Sequence, residues 1–197
     1  MRPEVRREVM FGGFGGQGIV TAGFMTGQAA VLHDNKEATL TQVYGPEARG
    51  SACYSGVVIS QGEISYPYLL SPEIMVIMSQ EAYEKFLPQL QQGGVLVVDS
   101  TIVKPGKLAE RYRLYKVPAT ELAEKLGRRI IANVIMLGFV GVVWDAVSVE
   151  ALREAVKSGV PKRYLELNLK AFRTGVKLAE KAVEKITEHL TRIETPS

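Results

Sequence analysis

Val9-Met10-Phe11-Gly12-Gly13-Phe14-Gly15-Gly16-Gln17-Gly18 opens the chain's first structural unit, and an apolar and small-residue stretch continues from Ile19 to Leu32. Three apolar residues that run straight into glycines predict a short buried strand closed by a tight turn, and the stretch over 19–32 predicts a helix. Strand, glycine turn and helix in that order open an α/β fold.

Further along the chain the same alternation recurs. Residues 38–43 read as a second strand that stops at Tyr44-Gly45-Pro46, because proline breaks regular pairing. Residues 53–60 and 63–66, parted by Gln61-Gly62, are expected to form a hairpin, which would make the sheet mixed. Short aliphatic runs at 74–78, 95–98 and 112–117 predict three more strands, with a helix over 81–90 between the first two. Helices follow at 120–126, 132–143, 149–157 behind the cap candidate Ser148, and 162–191. The expected architecture is a single three-layer α/β domain over 1–197, with a mixed, largely parallel sheet flanked by helices and a helical C-terminal part.

Composition narrows the function. Of 197 residues, 46% are apolar and 23% charged, the balance of a globular domain with a core of its own. Twenty-four basic and 21 acidic residues are interspersed, so no polyelectrolyte face announces nucleic acid. The longest apolar run, 130–144, is broken by Asn133 and is too short for a membrane span, so a buried helix is expected there. The charged N-terminus lacks a signal-peptide core, and together with a lone cysteine, Cys53, it points to the cytoplasm. One thiol cannot ligate a zinc site of the cysteine-rich type or an iron–sulfur cluster.

Gly13 to Gly18 satisfies the G-x-G-x-x-G spacing between a predicted strand and a predicted helix. There the absence of side chains admits a close backbone approach, and the helix start presents a partial positive charge of about 0.5 to a phosphate. A ligand-free tight turn fits the same residues. A nicotinamide site would also place a carboxylate at the end of the second strand; Asp34 and Glu37 precede that strand and Glu47 follows the turn, so the dinucleotide reading weakens. No Lys-Ser or Lys-Thr follows the glycines, which removes a P-loop.

The loop Tyr44-Gly45-Pro46-Glu47-Ala48-Arg49-Gly50-Ser51 places an acid and a base among turn formers beside the first glycine turn. Arg49 is suited to a phosphate or carboxylate fork, or equally to an ion pair with Glu47 or a partner. Asp99, followed by Ser100 and Thr101, is read as a cap, Asn133 as a structural clamp, Cys53 as a small buried hydrophobe, and His33 and His189 as surface residues.

These motifs, in this order, resemble the γ subunit of 2-oxoacid:ferredoxin oxidoreductases: the glycine turn, the Tyr44 to Gly50 loop, Ser79-Gln80-Glu81-Ala82-Tyr83, Ala132-Asn133, and residues 166–175. The loop and the Ser79 to Tyr83 segment are most similar to the 2-oxoglutarate branch; Ser51 departs from it, standing where many relatives carry glycine. The resemblance implies a chain that binds no cofactor alone. Partner α and β subunits, and in some complexes a ferredoxin-like δ subunit, would hold thiamine diphosphate, Mg and iron–sulfur clusters, with ferredoxin as acceptor and coenzyme A as co-substrate. It further implies that Gly13, Gly15, Gly16, Gln17, Gly18 and Arg49 face coenzyme A, with Tyr44, Gly45, Pro46, Glu47 and Gly50 nearby and no catalytic residue or metal ligand in this chain. A stand-alone nucleotide-dependent oxidoreductase and a purely structural assembly subunit are the competing expectations.

Overall fold

Apolar residues alternate through the strands between two cores. Val9 and Phe11 of β1 (Arg7–Phe14) enter one core, while Met10 enters the other. The same division holds for β4 (Ile74–Ile77), where Ile74 and Val76 face the first core and Met75 and Ile77 the second. The structure, a computed structural model, describes residues 6–44 and 51–194, with side chains to residue 186. The expected loop residues Gly45, Pro46, Glu47, Arg49 and Gly50 lie outside the described residues, as does the side chain of His189.

The chain runs β1, α1 (Ile19–Leu32), β2 (Glu37–Val43), β3 (Ala52–Ser60), β4, α2 (Gln80–Phe86), β5 (Val95–Asp99), β6 (Arg113–Val117), α3 (Ala119–Lys125), α4 (Ala132–Val143), α5 (Val149–Gly159) and α6 (Leu165–Glu194). The strands form one sheet in the order β2-β3-β1-β4-β5-β6. β1, β4, β5 and β6 are mutually parallel, and β3 pairs antiparallel with both β1 and β2. The mixed, largely parallel sheet expected from the sequence is therefore present. Among the described residues no helix is long and apolar enough to cross a membrane.

Its antiparallel element, however, arises differently from the expectation. Residues 63–66 are not a strand, because both edges of β3 are taken by β1 and β2 and no edge remains for a hairpin partner. The 61–73 segment instead runs over the second face, anchored by the charged start of β1. Glu8 Oε2 accepts from the backbone N–H groups of Leu70 at 2.8 Å and Ser71 at 2.9 Å, and Arg6 Nη1 donates to the Tyr66 carbonyl at 2.7 Å. The helix expected over 81–90 likewise ends early, at Phe86, where Pro88 converts the continuation into a 3-10 turn over Leu87–Gln89.

α4 carries apolar residues all round, and ten of its residues are buried. Such a helix must be covered on every side; it packs against β5, α1, α3, α5 and α6. Its contact with α6 is close at two glycines. A Cβ on Gly138 would lie 2.2 Å from the Phe172 carbonyl oxygen, and one on Gly175 would lie 1.9 Å from that of Ile135. α5 begins at Ser148, whose Oγ accepts from the Ala151 N–H at 3.1 Å, confirming the cap read from sequence.

Candidate functional site

β1, β4, β5 and β6 end at one edge of the sheet, and the glycine turn closes β1 there. β2 ends and β3 begins at the same edge, so Tyr44 and Ser51 lie at that edge too. In open α/β sheets this carboxyl edge is where ligands bind. Gly16 and Gly18 adopt positive φ of 90° and 75°, a conformation glycine reaches without a Cβ penalty. Gly15 and Gly16 are exposed, with open space where a Cβ would stand.

Gln17 fixes the shape of the turn. Its Oε1 accepts from the Phe14 N–H at 2.6 Å, and its Nε2 donates to the Met78 carbonyl at 2.7 Å. The side-chain amide therefore ties the end of β1 to the end of β4, across the point where the chain's connections diverge to either side. Gly13 permits that arrangement, since a Cβ there would fall 2.6 Å from Gln17 Oε1. Gly18 begins α1, and its carbonyl accepts from the Ala22 N–H at 2.9 Å and from Asn133 Nδ2 at 3.1 Å. Asn133 is thus the clamp its position in an apolar helix suggested.

Three clefts meet at the turn. One of about 260 Å³ is lined by Gly16, Gln17, Met78, Thr120, Arg129 and Ile130. A second, of about 330 Å³, lies among Phe14, Gly15, Tyr44, Cys53 and Ile130. The third, also about 260 Å³, runs from Gly18 past Met25, Arg128 and Ile130 to Tyr164. Ile130 lines all three although it is 51% exposed, a large apolar side chain left in water at the junction. The segment Arg128-Arg129-Ile130 was not singled out from sequence. Its signal was a pair of arginines directly after Gly127, the left-handed glycine that ends α3.

The remaining motif residues have structural partners. Asp99 is fully buried; its Oδ2 accepts from the Thr120 Oγ1 at 2.6 Å and the Thr120 N–H at 3.1 Å, and its Oδ1 accepts from the Thr101 N–H at 3.1 Å. It caps the start of α3 and the turn after β5, as expected. Ser79 caps α2, Glu81 accepts from the Ala52 N–H, and the Tyr83 hydroxyl accepts from the Gly106 N–H. Cys53 is buried, and desolvation raises its thiol pKa, so the neutral form is favoured.

A ribose-binding carboxylate is missing from the end of β2 among the described residues. Asp34 instead accepts from the Ser148 N–H and Oγ, both at 2.7 Å, and Glu37 opens β2 at the opposite edge. The described residues also contain no group of three His, Cys, Asp or Glu placed to hold a metal.

An α/β domain with a glycine turn at the carboxyl edge of a largely parallel sheet defines the class. Residues 8–178 match the pyruvate ferredoxin/flavodoxin oxidoreductase family, and the chain belongs to that family. It is 44% identical over 181 residues to the 2-oxoglutarate synthase subunit KorC of Methanocaldococcus jannaschii, covering 91% of this chain and 97% of the relative. It is 32% identical to the ketoisovalerate oxidoreductase subunit VorA of Methanothermobacter thermautotrophicus, of which it spans only 38%. Among solved structures, the γ subunit of a keto/oxoacid ferredoxin oxidoreductase from Geobacter sulfurreducens superimposes with a TM-score of 0.77 at 38% identity, over 89% of this chain and 99% of that one.

Proposed function

We propose that residues 1–197 act as one γ domain of a multi-subunit 2-oxoacid:ferredoxin oxidoreductase, and that its substrate is 2-oxoglutarate. The reaction is the oxidative decarboxylation of the 2-oxoacid with coenzyme A, giving acyl-coenzyme A, carbon dioxide and reduced ferredoxin. The carrying observation is similarity at 44% identity, over 97% of its length, to a 2-oxoglutarate synthase subunit. Thiamine diphosphate, Mg and iron–sulfur clusters supply carbanion stabilisation and electron transfer when bound, and we assign them to partner α and β subunits. The donor set of this chain does not fit a cluster, because its only thiol is buried and held neutral.

This chain's part is to form the coenzyme A side of the active site. Gly15 and Gly16 offer exposed backbone before α1, with open space where a Cβ would stand, so the thioester arm of coenzyme A can approach closely. Gly13, Gln17 and Gly18 hold that backbone in place, and Arg49, on the loop between β2 and β3, supplies a fork for a phosphate or carboxylate. The test is the complex reassembled with Gly15→Val or Arg49→Ala. Both variants keep their partners and the decarboxylation half-reaction, while the KM for coenzyme A rises about tenfold, as expected for one charge-assisted contact of about 1.5 kcal/mol. A shift in 2-oxoacid saturation alone would assign Arg49 to the substrate carboxylate instead.

A further inference from the structure

The groove that leaves the glycine turn along Gly18, Met25 and Ile130 ends at an aromatic ring carrying two cations. The Arg128 guanidinium carbon lies 4.3 Å from the centroid of the Tyr164 ring, and that of Arg163 lies 4.7 Å from the same centroid. Two like charges gathered on one ring repel each other unless an anion joins them. Yet neither arginine meets a carboxylate within 4.0 Å among the described residues, although the surface holds many such pairs elsewhere. Lys162 adds a third cation in the same turn, and Arg129, the neighbour of Arg128, lines the adjoining cleft.

The ring is firmly placed. The Tyr164 N–H donates to the Pro161 carbonyl at 2.8 Å, and its own carbonyl accepts from the buried Asn168 Nδ2 at 2.9 Å. Arg128 is fixed from the other side by the end of α3. Gly127, at φ 101°, donates to the Glu124 carbonyl, and the Arg128 N–H donates to that of Ala123 at 3.0 Å, closing a Schellman motif. A guanidinium held over a ring by cation–π attraction is already partly ordered, so it loses less freedom on binding a phosphate than an unsupported arginine.

We infer that Arg128 and Arg163, held over the Tyr164 ring, bind the phosphate groups of a phosphorylated nucleotide tail that enters the groove from the glycine turn. The inference rests on the proposed coenzyme A role: the thiol arm would lie by Gly15 and Gly16, and the nucleotide end by Tyr164. The apolar lining between them, Met25, Val134, Val160 and Leu167, suits the non-phosphate part of such a ligand.

The test uses the reassembled complex with Arg128→Ala, Arg163→Ala and the conservative Arg128→Lys. For each, the KM is measured for coenzyme A, for 3′-dephospho-coenzyme A and for pantetheine as thiol acceptors. Each alanine variant should raise the KM for coenzyme A about tenfold while leaving that for pantetheine and for the 2-oxoacid unchanged. Arg128→Lys should recover part of the loss, since charge returns without the fork. A 3′-phosphate contact shows as a smaller effect on dephospho-coenzyme A, a pyrophosphate contact as an equal one. Unchanged coenzyme A kinetics, an equal rise for pantetheine, or loss of subunit assembly, which would mark an acidic partner surface as the occupant, each overturns the inference. If these variants are silent while Gly15→Val still weakens coenzyme A and pantetheine alike, the inference fails and the proposed function stands. If Gly15→Val is silent as well, both fail.

Discussion

Asn133 Nδ2 donates to the carbonyl oxygen of Gly18 at 3.1 Å, joining the start of α4 to the start of α1 across more than a hundred residues of chain. A Cβ on Gly18 would stand 2.3 Å from that same nitrogen, in a backbone conformation with φ 75°. The glycine turn is therefore held from beneath by the helical layer, while Gly15 and Gly16 remain open above it.

Gly18→Ala should lower the unfolding free energy by about 2–4 kcal/mol, from the left-handed backbone penalty and the overlap with Asn133 together. Gly15→Ala has open space and no positive φ, so its effect should stay within about 0.5 kcal/mol. Denaturant melts of the two variants check this. Equal destabilisation would mean that Asn133 does not hold the turn.

The contact of α4 with α6 depends on two glycines that face each other's backbones. Gly138→Ala and Gly175→Ala each force a methyl group into a main-chain carbonyl oxygen, which cannot swing aside as a side chain can. Each should cost at least about 2 kcal/mol. Gly62→Ala, in open space, is the matched control. Thermal melts in which all three variants coincide would refute the close crossing.

Cys53 is buried, and burial raises its pKa, so the folded state binds the thiol proton more tightly than the unfolded chain. Stability from this residue is present below the ordinary thiol pKa of about 8.5 and declines as the pH rises above it. Native protein at pH 8 should therefore resist a thiol reagent until denaturant is added. Fast stoichiometric labelling of the folded chain would show a reactive thiolate instead.

What the sequence made legible was local. The strand, glycine turn and helix at 9–32, the Ser148 cap and the all-apolar α4 follow from spacing and residue chemistry within a few positions of one another. The expected hairpin at 63–66 failed because β3 is paired on both sides by strands that no short-range pattern specifies. The amide of Gln17, a residue expected on the coenzyme A side, is engaged by the Phe14 and Met78 backbones, the second of them 61 residues away and outside the reach of any local pattern. The cation–π contact of Arg128 with Tyr164 and the meeting of Gly138 with Phe172 are likewise long-range relationships, and a single sequence carries no signal for them.

The central claim is that this chain completes the coenzyme A side of a 2-oxoacid:ferredoxin oxidoreductase whose redox groups lie elsewhere. The most direct measurement is 2-oxoglutarate-dependent ferredoxin reduction by α and β partners prepared without this chain, followed as purified chain is added back. Turnover saturable in coenzyme A should appear in proportion to added chain and plateau at a fixed stoichiometry. Full coenzyme A-dependent turnover by the partners alone, with an unchanged KM for coenzyme A after addition, would contradict it.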